Sequence, residues 1–250
     1  MPAPANLKIS TNSTLRARAA ILSLLVALSS CSPASNSMLQ TLQQAVWRGD
    51  SSASARLNPN FRYLRVTIAG RVVLLALGNE DIDLRGPVEV WYSAEREVLR
   101  LQNGRLVGAV GLTAEWRNVV LPELPPWSAL ARGDQAYRWT RVRDVMPGYR
   151  FGLRDALSLR VIPQPGRSEL QGMDPQRLTW FEEQVDAEQV AGSSRGGSLA
   201  SSGILPPARY AMDVRGGKEI VVYAEQCLAP DLCFTWQRWP VQPQSTTEKK

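Results

Sequence analysis

The sequence predicts a mainly β protein in which antiparallel hairpins form a barrel or a sandwich, with one short N-terminal helix. Three observations carry that expectation. After residue 60 the apolar residues recur with period two, or run on for strand lengths between glycines. "VLRLQNGRLV" sets Asn103-Gly104 between two β-prone runs, and a type I′ hairpin turn needs that pair because both of its central residues have positive φ. The main stretch with helical spacing is "SMLQTLQQAVWRG", residues 37–49.

The chain opens with Lys8, Arg16 and Arg18, no acidic residue in the first thirty, and an apolar run from Ala19 to Leu28. As a helix that run reaches about 15 Å, roughly half the hydrocarbon core of a bilayer. It therefore reads as the core of a secretory signal peptide over residues 1–30, too short to span a membrane. Leu28-Ser29-Ser30-Cys31 resembles the bacterial lipobox, which implies cleavage before Cys31 and acylation of that residue. At roughly 0.8 kcal/mol per buried methylene, several acyl chains hold a protein on a membrane. Ser32 and Pro33 follow, with no Asp to signal inner-membrane retention, so the expected location is the periplasmic face of the outer membrane. Residues 31–60 read as a lipidated tether and a short helix. Ser37 caps that helix, Met38, Leu42, Ala45 and Val46 share one face, and Gly49 ends it.

Residues 61–250 read as a β-rich periplasmic domain. "FRYLRVTI" alternates, and "RVVLLALG" is an apolar run bounded by Gly70 and Gly78. The Asn103-Gly104 hairpin follows, and "TAEWRNVVL" allows a short helical turn. Further strands are expected at Tyr137 to Val142, Tyr149 to Val161, Leu178 to Val185, Arg209 to Val214, Glu219 to Glu225 and Leu232 to Trp239, with Gly216-Gly217 turning one pair. Gly192-Ser193-Ser194-Arg195-Gly196 matches G-x-S-x-G, but it lies in a Gly/Ser-rich stretch near 191–204 and reads as a flexible loop, because a nucleophile elbow needs a strand before it and a histidine partner.

The chain carries 29 Lys+Arg, 23 Asp+Glu and no histidine. Loss of residues 1–30 removes three basic residues and lowers the net charge from +6 to +3. The remaining basic residues are dispersed, so nucleic acid is not an expected partner. Without histidine, Ser-His-Asp and Cys-His catalysis and His-ligated metals are excluded. Cys227 and Cys233 flank a Pro-Asp turn and are placed to form a disulfide in an oxidising compartment. The alternatives are a metal site, for which neither a third Cys nor a His is at hand, and two free buried thiols. Glu80, Asp81 and Asp83 do not match an EF-hand loop and read as a solvated acidic turn. No metal or cofactor is expected. Trp116, Trp127, Trp139, Trp236 and Trp239 either stack on sugar rings or pack a β core.

"SAEREVLRLQNGRLVGAVGL" resembles the signature of the group 4 capsule polysaccharide lipoprotein family (the YjbF/GfcB family), through Trp91, Gly104, Arg105, Leu106, Val107, Gly111 and Leu112. "YAMDVRGGKEIVVYAEQCLAPDLCF" is similar to that family's closing hairpin through Tyr210, Asp213, Gln226 and Pro230, and the lipobox agrees. Pro122 to Ser202 has no recognised counterpart, and the cysteine pair departs from the family. The resemblance implies a mostly β, outer-membrane-anchored lipoprotein beside polysaccharide secretion components, with no assigned catalytic residues. The expected function is a non-enzymatic accessory factor in exopolysaccharide or capsule export or assembly, with polysaccharide or export proteins as partners. A carboxylate-based glycan hydrolase or lyase would need two Asp/Glu about 5 to 10 Å apart across an open cleft. A structural adaptor docking onto an export channel would need an exposed apolar patch.

Overall fold

Twelve strands pair edge to edge until the first meets the last. The computed structural model describes residues 57–186, 204–215 and 217–241, all within the second of two compact units of the chain, Leu42–Lys250. The signal peptide, Cys31, the helix over 37–49 and the Gly/Ser stretch up to residue 203 lie outside the described residues.

The strands are β1 Tyr63–Ile68, β2 Arg71–Asp81, β3 Val88–Tyr92, β4 Val98–Gln102, β5 Arg105–Val110, β6 Glu115–Val120, β7 Tyr137–Met146, β8 Arg150–Ile162, β9 Thr179–Val185, β10 Ala208–Arg215, β11 Lys218–Ala229 and β12 Leu232–Trp239. Each pairs antiparallel with its sequence neighbours, and β1 pairs with β12, giving a closed barrel. Closure leaves no sheet edge to protect. Of the two architectures expected from sequence, the barrel is the one formed.

Three segments differ from expectation. "TAEWRNVVL" forms β6 where a helical turn was expected. Trp116 pairs with Val145 and Ala109, so its ring points into the barrel, and the strand phase of that one side chain outweighs the charged Glu115 and Arg117 around it. The single described α-helix, α1, is Trp127–Ala131, which follows Pro125-Pro126 in the connection between β6 and β7. Glu80 and Asp81 stand at the end of β2, leaving only Asp83 in the following loop. Glu80 pairs with Arg62, and Asp81 pairs with Arg100 at 2.7 Å.

Twelve strands enclose more volume than their own inward side chains fill, since about eight strands already make a barrel whose side chains just fill it. This chain meets the demand with large rings and with inserted segments. Trp91, Trp116, Trp236 and Phe181 are almost wholly buried in the main core. Consecutive strands alternate direction, so the connections alternate between two mouths. At the first mouth α1 inserts Trp127, whose ring lies 4.8 Å from Phe181 and 5.2 Å from Tyr210. At the second, Leu205, from the connection between β9 and β10, enters the same core.

The outer face has a different character. Outward positions of four strands carry Arg138, Arg154, Arg160, Glu182, Gln184 and Thr235, polar and charged side chains. The connection between β8 and β9 straps part of this face. Leu170, Met173 and Leu178 pack with Trp180, Val222 and Tyr223 into a second small core. Gln171 and Gln237 exchange hydrogen bonds at 2.9 and 2.6 Å, which satisfies the buried Gln237 amide. Cys227 and Cys233 form a disulfide directly across β11 and β12, as the spacing predicted.

The Asn103-Gly104 turn bends across the first mouth. Both residues have positive φ, 50° and 79°, as the type I′ assignment requires. The Gln226 amide donates to the Gly104 carbonyl at 3.5 Å, and a Cβ added at Gly104 would overlap the Val221 side chain. Gly104→Val combines that overlap with a positive φ, a strain of about 1–3 kcal/mol before any repacking. Urea denaturation should find the variant less stable by at least that much, and parental stability in it would refute the turn's role in closing the mouth.

Candidate functional site

Strand phase sends Arg141 and Arg143 inward. On β7, Trp139, Arg141, Arg143 and Val145 share one face and are all buried. Arg141 stands opposite Asp155 on β8 in the register. Its Nε donates to Asp155 Oδ2 at 3.0 Å, and Nη2 lies 2.9 Å from the same oxygen. Arg143 forks onto the same carboxylate, from Nε at 2.6 Å and from Nη2 at 3.0 Å. Both guanidiniums lie over the Trp116 ring, with Cζ 4.4 and 4.9 Å from its centre, so the ring's π face offsets part of their desolvation. Trp116 Nε1 in turn donates to the Leu228 carbonyl at 3.0 Å.

Glu183, on β9, completes the cluster. Arg141 Nη1 lies 3.7 Å from its Oε1, and the Tyr210 hydroxyl donates to the same oxygen at 3.4 Å, while Oε2 has no partner. A void of about 20 Å³, large enough for one water, adjoins Trp116, Arg141, Glu183, Tyr210 and Gln226. Desolvation is the largest influence on both carboxylates, with opposite outcomes. At Asp155 the hydrogen bonds and charges of Arg143 and Arg141 together outweigh it and hold the pKa below the usual Asp value. At Glu183 desolvation prevails over Arg141 and Arg105 and raises the pKa. Burial raises the Tyr210 pKa as well.

A further inward guanidinium is Arg105, which follows the Gly104 turn. It is 4% exposed, and its Cζ sits 3.8 Å from the centre of the Trp127 ring. Trp127 Nε1 donates to the Asn103 carbonyl at 3.0 Å, so α1 and the hairpin tip hold each other. Arg105 Nε and Nη2 are shielded from solvent and have no hydrogen-bond partner. Burial lowers its pKa, opposed by the Glu183 charge.

Arg105 is also part of the wall of an open cleft at the first mouth, of about 460 Å³, within the usual range for ligand sites. Leu84 and Arg85 come from the loop between β2 and β3, Gln102 and Asn103 from the hairpin tip, and Leu121, Pro122, Glu123 and Leu124 from the segment leading to α1. Arg85 donates through Nη1 to the Leu121 carbonyl, tying two walls together, and its Nε is 3.5 Å from Asp83. Gln102 Nε2 donates to Asp83 at 3.0 Å and to the Gly86 carbonyl at 2.9 Å.

Of the five tryptophans weighed as sugar platforms, Trp116, Trp127, Trp139 and Trp236 are buried and Trp239 is half-buried. Their placement follows the core-packing alternative: filling a wide barrel takes up the ring faces that stacking would need. Sequence reading missed Arg105, Arg141, Arg143, Asp155 and Glu183 as a group. The available signal was phase, because Arg141 and Arg143 share parity with Trp139 and Val145. A glycosidase pair is not found in this cluster. Asp155 is fully engaged by two arginines, and the adjoining void admits a water but no sugar ring.

The fold and the cleft define a plugged antiparallel β-barrel. The model of one protein family, described as "Group 4 capsule polysaccharide lipoprotein gfcB, YjbF", matches residues 40–193, more than half of the chain. The chain belongs to this family. The match includes residues 122–193 of the Pro122–Ser202 stretch, for which the sequence resemblance found no counterpart, and it stops before the Tyr210–Phe234 block. No curated protein sequence matches. Among solved structures the chain is similar to the hypothetical lipoprotein YmcC from Escherichia coli (K12), at 17% identity and a TM-score of 0.49, covering 96% of this chain and 100% of that one.

Asp155→Asn leaves two buried guanidiniums without their shared charge and should cost about 3–5 kcal/mol in urea denaturation at neutral pH. Because the folded-state pKa is lowered, the parent's advantage is complete above about pH 4, the ordinary Asp value, and is lost as pH falls through the lower folded value. A deficit that stayed constant down through that acid range would refute the ion-pair account.

Proposed function

We propose that this protein is an outer-membrane lipoprotein, tethered through Cys31 on the periplasmic face, which acts as a non-enzymatic accessory factor in the export or assembly of extracellular polysaccharide. Membership of the capsule polysaccharide lipoprotein family carries this reading. The lipobox ahead of Cys31 and the chain's lack of histidine agree with it. So does the chemistry inside the barrel, where Asp155 is neutralised and Glu183 is enclosed. The cleft wall holds one carboxylate, Glu123, whereas acid–base cleavage of a glycosidic bond uses two.

Deletion of the protein should lower secreted or surface polysaccharide, and reintroduction should restore it. Variants at Glu123 and at other single Asp or Glu positions, once shown to be folded, should restore output nearly fully. A general acid or base supplies a factor of typically 10² to 10⁴ in rate, so one folded carboxylate variant that abolished output would replace this reading with a hydrolase. Cys31→Ser should lose fatty-acid labelling, and undiminished labelling would remove the tether.

A further inference from the structure

We propose that the cleft at the first mouth binds a carboxylate-bearing sugar residue, with Arg105 and Arg85 recognising its acid group and Leu84, Leu121, Pro122 and Leu124 packing against its apolar face. This rests on the reading of the protein as a polysaccharide factor and names the ligand chemistry.

Charge is the first ground. Inside the barrel Arg238 is matched by Glu89, and three further guanidiniums, Arg105, Arg141 and Arg143, face two carboxylates, Asp155 and Glu183. Asp155 is taken by Arg141 and Arg143, and Glu183 by Arg141 and Tyr210. Arg105 is the remaining cation. Its Nε and Nη2 lack acceptors, although a buried guanidinium ordinarily has them. Arg105 belongs both to this cluster and to the cleft wall, where Glu123 is the one carboxylate among the lining residues and Asp83, beside the wall, pairs with Arg85.

Shape and surface are the second ground. Leu84 is fully exposed, and it faces a wall that includes Leu121, Pro122 and Leu124. An apolar strip beside guanidinium and amide groups suits a ligand with a C–H face, a polar rim and an anionic substituent. Asn103 supplies the amide, Gln102 Nε2 being held by Asp83 and the Gly86 carbonyl, and the Trp127 ring behind Arg105 keeps the guanidinium in place. A guanidinium matches a carboxylate in a forked geometry that an ammonium does not reproduce.

The test uses the full-length, detergent-solubilised lipoprotein and calorimetric titration with a galacturonic acid tetrasaccharide. Two comparison probes are its methyl ester, which keeps the rings and removes the charge, and inorganic phosphate. The acid form should bind, more weakly as salt rises, and esterification should weaken binding about tenfold or more, as expected for loss of a charged hydrogen-bond partner. Arg85→Gln, on an exposed loop, should weaken the acid form more than the ester, since the Leu121 tie that it also removes serves both. Arg105→Lys, which keeps the charge but not the fork, should weaken it further. Equal binding of acid and ester, or binding untouched by Arg85→Gln, would overturn the cleft assignment while leaving a polysaccharide role standing. Phosphate binding as tightly as the tetrasaccharide would overturn the sugar assignment. Absence of binding by any probe would overturn the inference. The deletion phenotype tests the functional reading separately.

Discussion

A ring of twelve strands has to be filled. Eight-stranded barrels fill themselves with the side chains that alternation turns inward, but at twelve the inner faces stand too far apart for leucine and valine to meet. The consequences reach most of this molecule. Trp91, Trp116 and Trp236 are wholly or almost wholly buried because rings of that size span the space, and α1 leaves the strand pattern to deliver Trp127 onto Phe181 and Tyr210. Leu205 does the same from the other mouth. The hairpin tip at Gly104 folds in until its carbonyl meets Gln226 on the far side, an approach that only a residue without a Cβ allows.

A wide interior also makes room for charge. Burying ions costs several kcal/mol each, and the expense is tolerated where geometry is tight and every polar atom is used. Asp155 meets that condition, with both oxygens in a double fork and the two guanidiniums backed by Trp116. Glu183 and Arg105 do not, since each retains an unpartnered polar atom, and burial shifts both pKa values against the charged form. The fully satisfied part of the cluster lies between strands, whereas Arg105 lies where inserted segments meet the open cleft. Strand register enforces the pairing in the first case. No register acts on the second.

How much was legible follows from the same division. Strands that alternate cleanly, such as β7, β8 and β12, stood in the sequence because one face meets the core and the other water. The Asn103-Gly104 turn was readable because two successive positive-φ positions narrow the choice of residues, and the cysteine pair because a hairpin brings its flanks opposite each other. β6 was not, since only Trp116 and Val119 mark its inner face and a bulge at Arg117 breaks the period. Nor was α1, five residues long and helical because of what Trp127 reaches, with no amphipathic repeat of its own. The tryptophans left platform and core both open because sequence shows their number and not the volume they occupy. The charge cluster was hidden by a reasonable rule, that arginine on a strand marks the wet face, which fails in a barrel wide enough to pair charges inside.

The residues carrying the family resemblance can now be read as parts of one mechanical unit. Gly104 permits the turn to cross the mouth, Arg105 stacks on the ring that α1 inserts, Leu106 joins the main core and Val107 packs beside Leu121 and Trp139. Leu121 lies in the cleft wall, and its carbonyl is held by Arg85 from a third segment. The motif therefore joins the floor of the barrel plug to the wall of the cleft, and displacement of Arg105 would have to disturb Trp127, whose indole is bonded to the same turn. Such coupling suits a surface that registers an anionic group by repacking around it. Asp155 and Glu183 stand on the inner side of that unit, held by Arg141 and Arg143, so the unit separates the paired charges of the interior from the cleft.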